Sequence, residues 1–193
     1  MRLHVLHGAE AAPWRDAAAA LRIRVFRDWP YLYDGDLDYE RAYLQRYLDC
    51  PDSVIVIAEA AGVALGASTG LPLAAADPEM QAPFLAQGLA LSDWFYCGES
   101  VVLPEARGRG LGHRFFDLRE AQAGALGLRR ISFCAVDRRE DHPSRPPQAR
   151  SHAAFWERRG YRRQPQLQCR YAWKDLGEDR PSEKTLTFWT KGH

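Results

Sequence analysis

The stretch that most constrains this chain runs from Ser100 to Ala125. Ser100-Val101-Val102-Leu103 is a short, valine-rich apolar run that reads as a buried strand. Pro104 ends it, because proline has no N–H for the next ladder bond. Gly108, Gly110 and Gly112 follow at every second position, and Leu111, Phe115, Leu118 and Ala125 then recur at helical spacing. The spacing predicts a helix from near Gly110 to about Gly124 or Gly127. Strand, glycine turn and helix outline an anion cradle: the first helical N–H groups lack intrahelical partners, and the dipole favours negative charge there. Arg107 and Arg109 add positive charge at the same point.

The glycine spacing argues against two common phosphate loops. A dinucleotide-binding turn needs a third glycine where His113 or Phe115 stands, and a P-loop needs a terminal Gly-Lys-Ser or Gly-Lys-Thr. An ordinary glycine-rich turn is the bland alternative, disfavoured by the flanking arginines and valines.

Composition narrows the class of function. At 193 residues the chain is expected to be a single domain with a full core. A hydrophobic content of 46% and a charged content of 26% fit a soluble globular protein. A net charge of +1 gives no electrostatic case for nucleic acid or a membrane as partner. No apolar run nears a membrane span, and Met1-Arg2-Leu3-His4 does not open a signal peptide. Four scattered cysteines (Cys50, Cys97, Cys134, Cys169) form no CxxC, so reduced thiols, a cytoplasmic location and no metal are expected. Abundant alanine and arginine hint at a GC-rich bacterial genome.

The remaining elements follow from periodicity. Leu3 and Val5 begin a strand, and helices are expected over about 11–27 and 38–48. Strands over 53–58 and 63–71 make a hairpin through Ala61-Gly62, with a short helix from Pro78 after it. Ile131–Val136 is a strand parallel to the Val101 strand. A proline-rich loop over 137–147, a helix over 151–159 stopped by Gly160, and strands over 167–173 and 185–189 complete the chain.

Two motifs carry a family resemblance. Val-Leu-Pro-Glu-Ala-Arg-Gly-Arg-Gly-Leu-Gly (102–112) resembles the acyl-CoA pyrophosphate loop of the GNAT (Gcn5-related N-acetyltransferase) superfamily. Phe155-Trp156-Glu157-Arg158-Arg159-Gly160-Tyr161 is similar to that family's Phe-Tyr-Glu-Lys-x-Gly-Phe, and the order of elements is similar from end to end. The resemblance implies an α/β (α+β) GNAT fold over residues 1–193, a mixed, mostly antiparallel bent sheet flanked by helices. It also implies an acyl-CoA-dependent N-acetyltransferase that uses acetyl-CoA and passes the acetyl group directly to an amine, expected to be a small molecule. The backbone of Val101, Val102 and Leu103 would bind the pantetheine arm, and one of its N–H groups would polarise the thioester carbonyl. Arg107, Gly108, Arg109, Gly110, Leu111, Gly112 and His113 would hold the pyrophosphate.

A neutral amine must attack, so a general base is needed. Glu99 is the candidate; it equally fits pairing with an arginine or binding the substrate's ammonium, and a strand bulge would change its face. Trp156 stands where many family members carry a proton-donating tyrosine. Indole is no practical proton source, so Trp156 is expected beside the cofactor or in the core, and the acid is open among Ser151, His142 and Tyr161. Tyr31, Tyr33 and Asp34 lie where the family builds its acceptor pocket, which would suit a cationic or aromatic amine. Cys97 and Cys134 are expected as apolar fillers. A CoA-binding module that has lost its chemistry is the competing reading, and a homodimer through the terminal strands is a further expectation.

Overall fold

Val54, Val56 and Ala58 pack on one face of a sheet, and Ile55 and Ile57 on the other. Such an unbroken apolar run suits a strand covered on both sides. The computed structural model, which describes residues 1–192, arranges seven strands in one sheet of order β1-β2-β3-β4-β5-β7-β6. The strands are β1 Arg2–Leu6, β2 Val54–Ala60, β3 Val63–Pro72, β4 Trp94–Val102, β5 Arg130–Val136, β6 Arg162–Trp173 and β7 Ser182–Lys191. All neighbours are antiparallel except β4 and β5, which are parallel as expected.

Helices cover both faces. α1 (Arg15–Phe26), α2 (Leu37–Asp49) and α3 (Pro78–Ala86) bury Leu21, Leu44 and Phe84 against one face. α4 (Leu111–Ala125) buries Phe115 and Phe116 against the other, where α5 (Ala153–Arg158) adds Phe155 and Trp156. Asp36 caps α2 by accepting the Tyr39 N–H at 2.9 Å.

Three boundaries differ from the sequence expectation, each at a residue that breaks a pattern. The first helix does not run from Ala11; Gly8–Trp14 is a 3-10 segment containing Pro13, and α1 starts at Arg15. β4 begins at Trp94 rather than near Ser100, because Gly98 and Glu99 interrupt its apolar run without ending the strand. β6 begins at Arg162 rather than Leu167, its register broken between Gln164 and Gln168, where Pro165 sits.

The sheet opens beside its centre. β4 pairs with β5 only at Trp94, Phe95 and Tyr96, while β5 continues to Val136 on β7. Among the described residues, β4 therefore has no partner on its β5 side beyond Tyr96.

Candidate active site

The split strand carries a bulge where it parts from β5. Ser68 faces Ser100 and Gly70 faces Cys97, so three steps of β4 oppose two of β3. The extra residue reverses the strand's parity. Phe95 and Cys97 pack on the α4 face, and without the bulge Glu99 would follow them. Instead Val101 shares a face with Trp94 and Tyr96, and Glu99 turns toward α1 and α2. Gly98 is required at the bulge, since a Cβ there would overlap the Tyr47 hydroxyl and lie 2.5 Å from Thr69 Oγ1.

A buried arginine pins this geometry from the other face. Arg119, only 2% exposed, donates from Nη1 to the Glu99 carbonyl at 2.9 Å and to the Thr69 carbonyl at 3.3 Å. Its Nη2 donates to Ser100 Oγ at 2.8 Å and its Nε to the Phe115 carbonyl at 3.2 Å. Carbonyls and a hydroxyl thus stand in for a counter-charge.

Glu99 belongs to a buried ionic cluster. Arg22 Nη1 reaches Glu99 Oε2 at 2.5 Å, and Arg22 Nε donates to Glu40 Oε2. Tyr43 donates to the same Glu99 oxygen at 3.1 Å and lays its ring 3.9 Å from the Arg22 guanidinium. Oε1 of Glu99 and Oε1 of Glu40 are buried without partners; the Tyr33 phenol lies beside Glu40 but makes no well-formed hydrogen bond to it. Burial raises the Glu99 carboxyl above its ordinary value, Arg22 opposes that rise, and Glu40 adds to it. Burial would lower the Arg22 guanidinium, but Glu99, Tyr43 and Glu40 outweigh it and hold the charge in place. Burial and Glu99 push the Tyr43 phenol well up, so it remains a donor.

These groups line a pocket of about 100 Å³ between α1, α2 and the split strand. Its walls include Tyr31, Tyr33, Tyr96, Tyr171 and Trp173. The rim is tied together by Arg138, which forks onto Asp175 at 2.8 and 2.9 Å and donates to the carbonyls of Pro30 and Tyr31 at 2.8 and 2.7 Å. Leu176 N–H adds a bond to the Leu32 carbonyl at 2.7 Å.

Beyond β4 lies the glycine turn. Gly108 and Gly110 both have φ of +75°, a region that favours glycine, and no atom lies within 4 Å of where a Cβ would stand. The first helical bond at this end of α4 runs from Arg114 N–H to the Gly110 carbonyl, so the amides of Leu111, Gly112 and His113 precede it. Open glycine backbone, free amides and the exposed Arg107 and Arg109 suit a pyrophosphate. Upstream, Leu103 N–H is taken by the Leu65 carbonyl at 2.9 Å. Strand alternation directs the Val101 N–H the same way and leaves the Val102 N–H facing the split.

A family model for the acetyltransferase (GNAT) family matches residues 20–161, most of the chain. The chain belongs to the GNAT family. Membership makes it an acyl-CoA-dependent N-acetyltransferase, with acetyl-CoA as its co-substrate. No curated protein matches its sequence. Among solved structures, ribosomal-protein-alanine N-acetyltransferase from Brucella melitensis shares the fold at 15% identity and a TM-score of 0.61, over 98% of this chain and 99% of that one. An aminoglycoside 6'-N-acetyltransferase complexed with coenzyme A matches at 14% identity and 0.59, over 100% and 97%. The structure of yncA from Salmonella typhimurium with its cofactor acetyl-CoA matches at 16% identity and 0.56, over 98% and 93%. At these identities the likeness shows the GNAT fold alone.

Of the residues singled out from sequence, Glu99, Tyr31 and Tyr33 meet in the pocket, and Gly108 to His113 form the turn of this GNAT chain. Asp34 does not join the pocket lining: its carboxylate pairs with Lys174 at 2.9 Å and Arg27 at 3.7 Å on the surface. Trp156 is half-buried and packs against the edge of the core at Phe133 and Trp189, each 5.0 Å away. His113 is exposed beside Arg159, 3.3 Å from its Nη1, and His142 covers Trp29 at 5.3 Å. Tyr161 is fully buried and donates to Glu120 at 3.0 Å, away from the pocket. Cys97 is buried on the α4 face, where desolvation pushes its thiol up; Cys134 lines the pocket.

Sequence reasoning missed Arg22, Glu40, Tyr43 and Arg119. A signal was present. Arg22 follows Ala18 and precedes Phe26 at helical spacing, Glu40 precedes Leu44 and Tyr47, and Arg119 follows Phe115 and Phe116. Each is a charge set within an apolar stripe.

Proposed function

We propose that the chain acetylates a primary amine of a small molecule by direct transfer, with Glu99 as the base. The observation that carries this reading is the state of the Glu99 carboxylate. Oε2 is fixed by Arg22 and Tyr43, while Oε1 is buried without a hydrogen-bond partner among the described residues, and Glu99 lines the pocket at the strand split. An amine entering the pocket as an ammonium gives up a proton to Oε1 and becomes nucleophilic. Tyr43 and Arg22 hold the carboxylate in place while it accepts that proton.

Acetyl-CoA supplies an acyl group already activated as a thioester. Leu111, Gly112 and His113 would hold its pyrophosphate through backbone N–H groups, with Arg107 and Arg109 adding charge. The Val102 N–H, directed to the open side of β4, is the amide available to a thioester carbonyl. The four residue steps from Glu99 to Leu103 span about 13 Å, which separates the chemistry from the anion cradle. Trp156, half-buried against Phe133 and Trp189, is not called on as an acid, because a thiolate can leave unprotonated.

Thermal unfolding with ligands tests the reading first. Acetyl-CoA at about a hundred times its dissociation constant should stabilise the fold by roughly 2.7 kcal/mol, with NAD and ATP inert. Free thiol should then appear only when an amine is present. A shift without thiol from any amine would mark a CoA-binding module instead.

A further inference from the structure

We propose that the acceptor is a compact monoamine: one primary ammonium on an apolar or aromatic body, with no carboxylate. This rests on the acetyl-transfer reading and adds the chemical class that the pocket selects.

Charge comes first. Three charged residues line the pocket: Arg22, Glu40 and Glu99. One guanidinium bridges both carboxylates, so with all three ionised the cluster carries one unmatched negative charge. The cluster is almost wholly out of water, with Glu40 at 0% and Glu99 at 7% exposure. An uncompensated charge at such depth is costly, and one ammonium balances it. The hydrogen bonding agrees. Among the described residues, Glu40 Oε1 and Glu99 Oε1 are buried carboxylate oxygens without a well-formed hydrogen bond, though the Tyr33 and Thr69 hydroxyls lie beside them, and a primary ammonium brings three N–H donors.

The same count rejects other amines. A substrate carboxylate would need a cation, and Arg22, the one cation in the lining, is already shared by two glutamates. Amino acids would therefore bury an unpaired charge. A second ammonium on a polyamine would find no second unmatched carboxylate.

The walls define the body. Eight of the fifteen lining residues are aromatic, and Met80, Cys134 and Leu186 extend the apolar surface. A cavity of about 150 Å³ is enough to take a benzene ring, so a pocket of about 100 Å³ suits one ring or a short chain after modest side-chain adjustment.

Calorimetric titration of the CoA-saturated protein tests this with five probes. Phenethylamine carries the expected features; phenylalanine adds a carboxylate, 2-phenylethanol removes the charge, spermidine adds ammonium groups, and trialanine offers a peptide N-terminus. Phenethylamine is expected to bind at least tenfold more tightly than each of the others. No binding of phenethylamine, or binding of any comparator as tight or tighter, overturns the proposal. Thiol release is measured separately with the same panel. If phenethylamine binds as expected but no amine releases thiol, the ligand class stands and the acetyl-transfer reading falls.

Discussion

Arg119 Nη1 donates to the backbone carbonyl of Glu99 at 2.9 Å, so the helix that begins at the glycine turn also holds the bulge that aims Glu99, the proposed base. One rigid element thus sets both ends of the site: amides at its N-terminus, and a guanidinium two turns later under the split strand. Arg119→Met should leave the carbonyls of Glu99, Thr69 and Phe115 without this donor and lower stability by about 3 kcal/mol. That corresponds to a midpoint drop of roughly 6–12 °C for a chain of this size. Turnover should fall while the KM for acetyl-CoA holds, because the cradle lies at the far end of the helix. Loss of acetyl-CoA affinity with normal turnover would argue against the bulge as the point of action.

The raised Glu99 carboxyl gives the reaction a pH signature. Burial, partly offset by Arg22, lifts it above 4.5, and the base works only when ionised. The acid limb of kcat/KM should therefore lie above the ordinary glutamate range. Glu99→Gln should cost about a hundredfold in turnover near neutral pH, with the gap closing below that limb as the native base is protonated. Stability carries the matching sign. The folded state holds this proton more tightly than the unfolded chain, so the Glu99 contribution to stability falls as pH rises from the unfolded to the folded value. Equal turnover of variant and parent across the whole profile would remove Glu99 as base.

The turn can be tested without disturbing the fold. Gly110 is the N-cap of α4 in a left-handed conformation, and aspartate tolerates that conformation and suits helix N-termini. Gly110→Asp should keep the unfolding midpoint within a few degrees. The added carboxylate would nonetheless stand where the pyrophosphate belongs, and acetyl-CoA affinity should fall by about two orders of magnitude or more. Unchanged affinity in a calorimetric titration would place the cofactor elsewhere.

These sites differed in how readable they were from sequence. The glycine turn was plain because its left-handed backbone at Gly108 and Gly110 favours glycine, a preference written directly in the residue type. The bulge could be raised from sequence but not placed, since Gly98-Glu99 looks like the stretch before a strand until the register with Ser68 and Gly70 is known. Pocket residues on a single loop, Tyr31 and Tyr33, could be named; Arg22 and Glu40 stand out in the sequence only as charges within apolar stripes, and their partnership, which joins two helices across 18 residues, was not legible. Asp34 misled for a related reason. Its partner Lys174 comes from a distant turn, and sequence alone gives no way to see the carboxylate drawn outward.

Trp156 stands where the family resemblance leads one to expect a tyrosine, and its packing makes a sharp test. The indole meets Phe133 and Trp189 edge-to-face, both at 5.0 Å and 61°, within the cluster that α4 and α5 bury. Such pairs contribute about 0.5–1.5 kcal/mol each beyond burial. Trp156→Phe keeps an aromatic ring between the same neighbours and should cost about 1 kcal/mol of stability, a midpoint loss of roughly 2–4 °C. Turnover should stay within about threefold, because indole supplies no proton in the parent and none is lost in the variant. A tenfold fall in turnover at an unchanged midpoint would instead put the ring against the co-substrate. Trp156→Tyr separates the remaining question. If it raises turnover above the parent, protonation of the departing thiolate limits the reaction; if it does not, the thiolate leaves this site unaided.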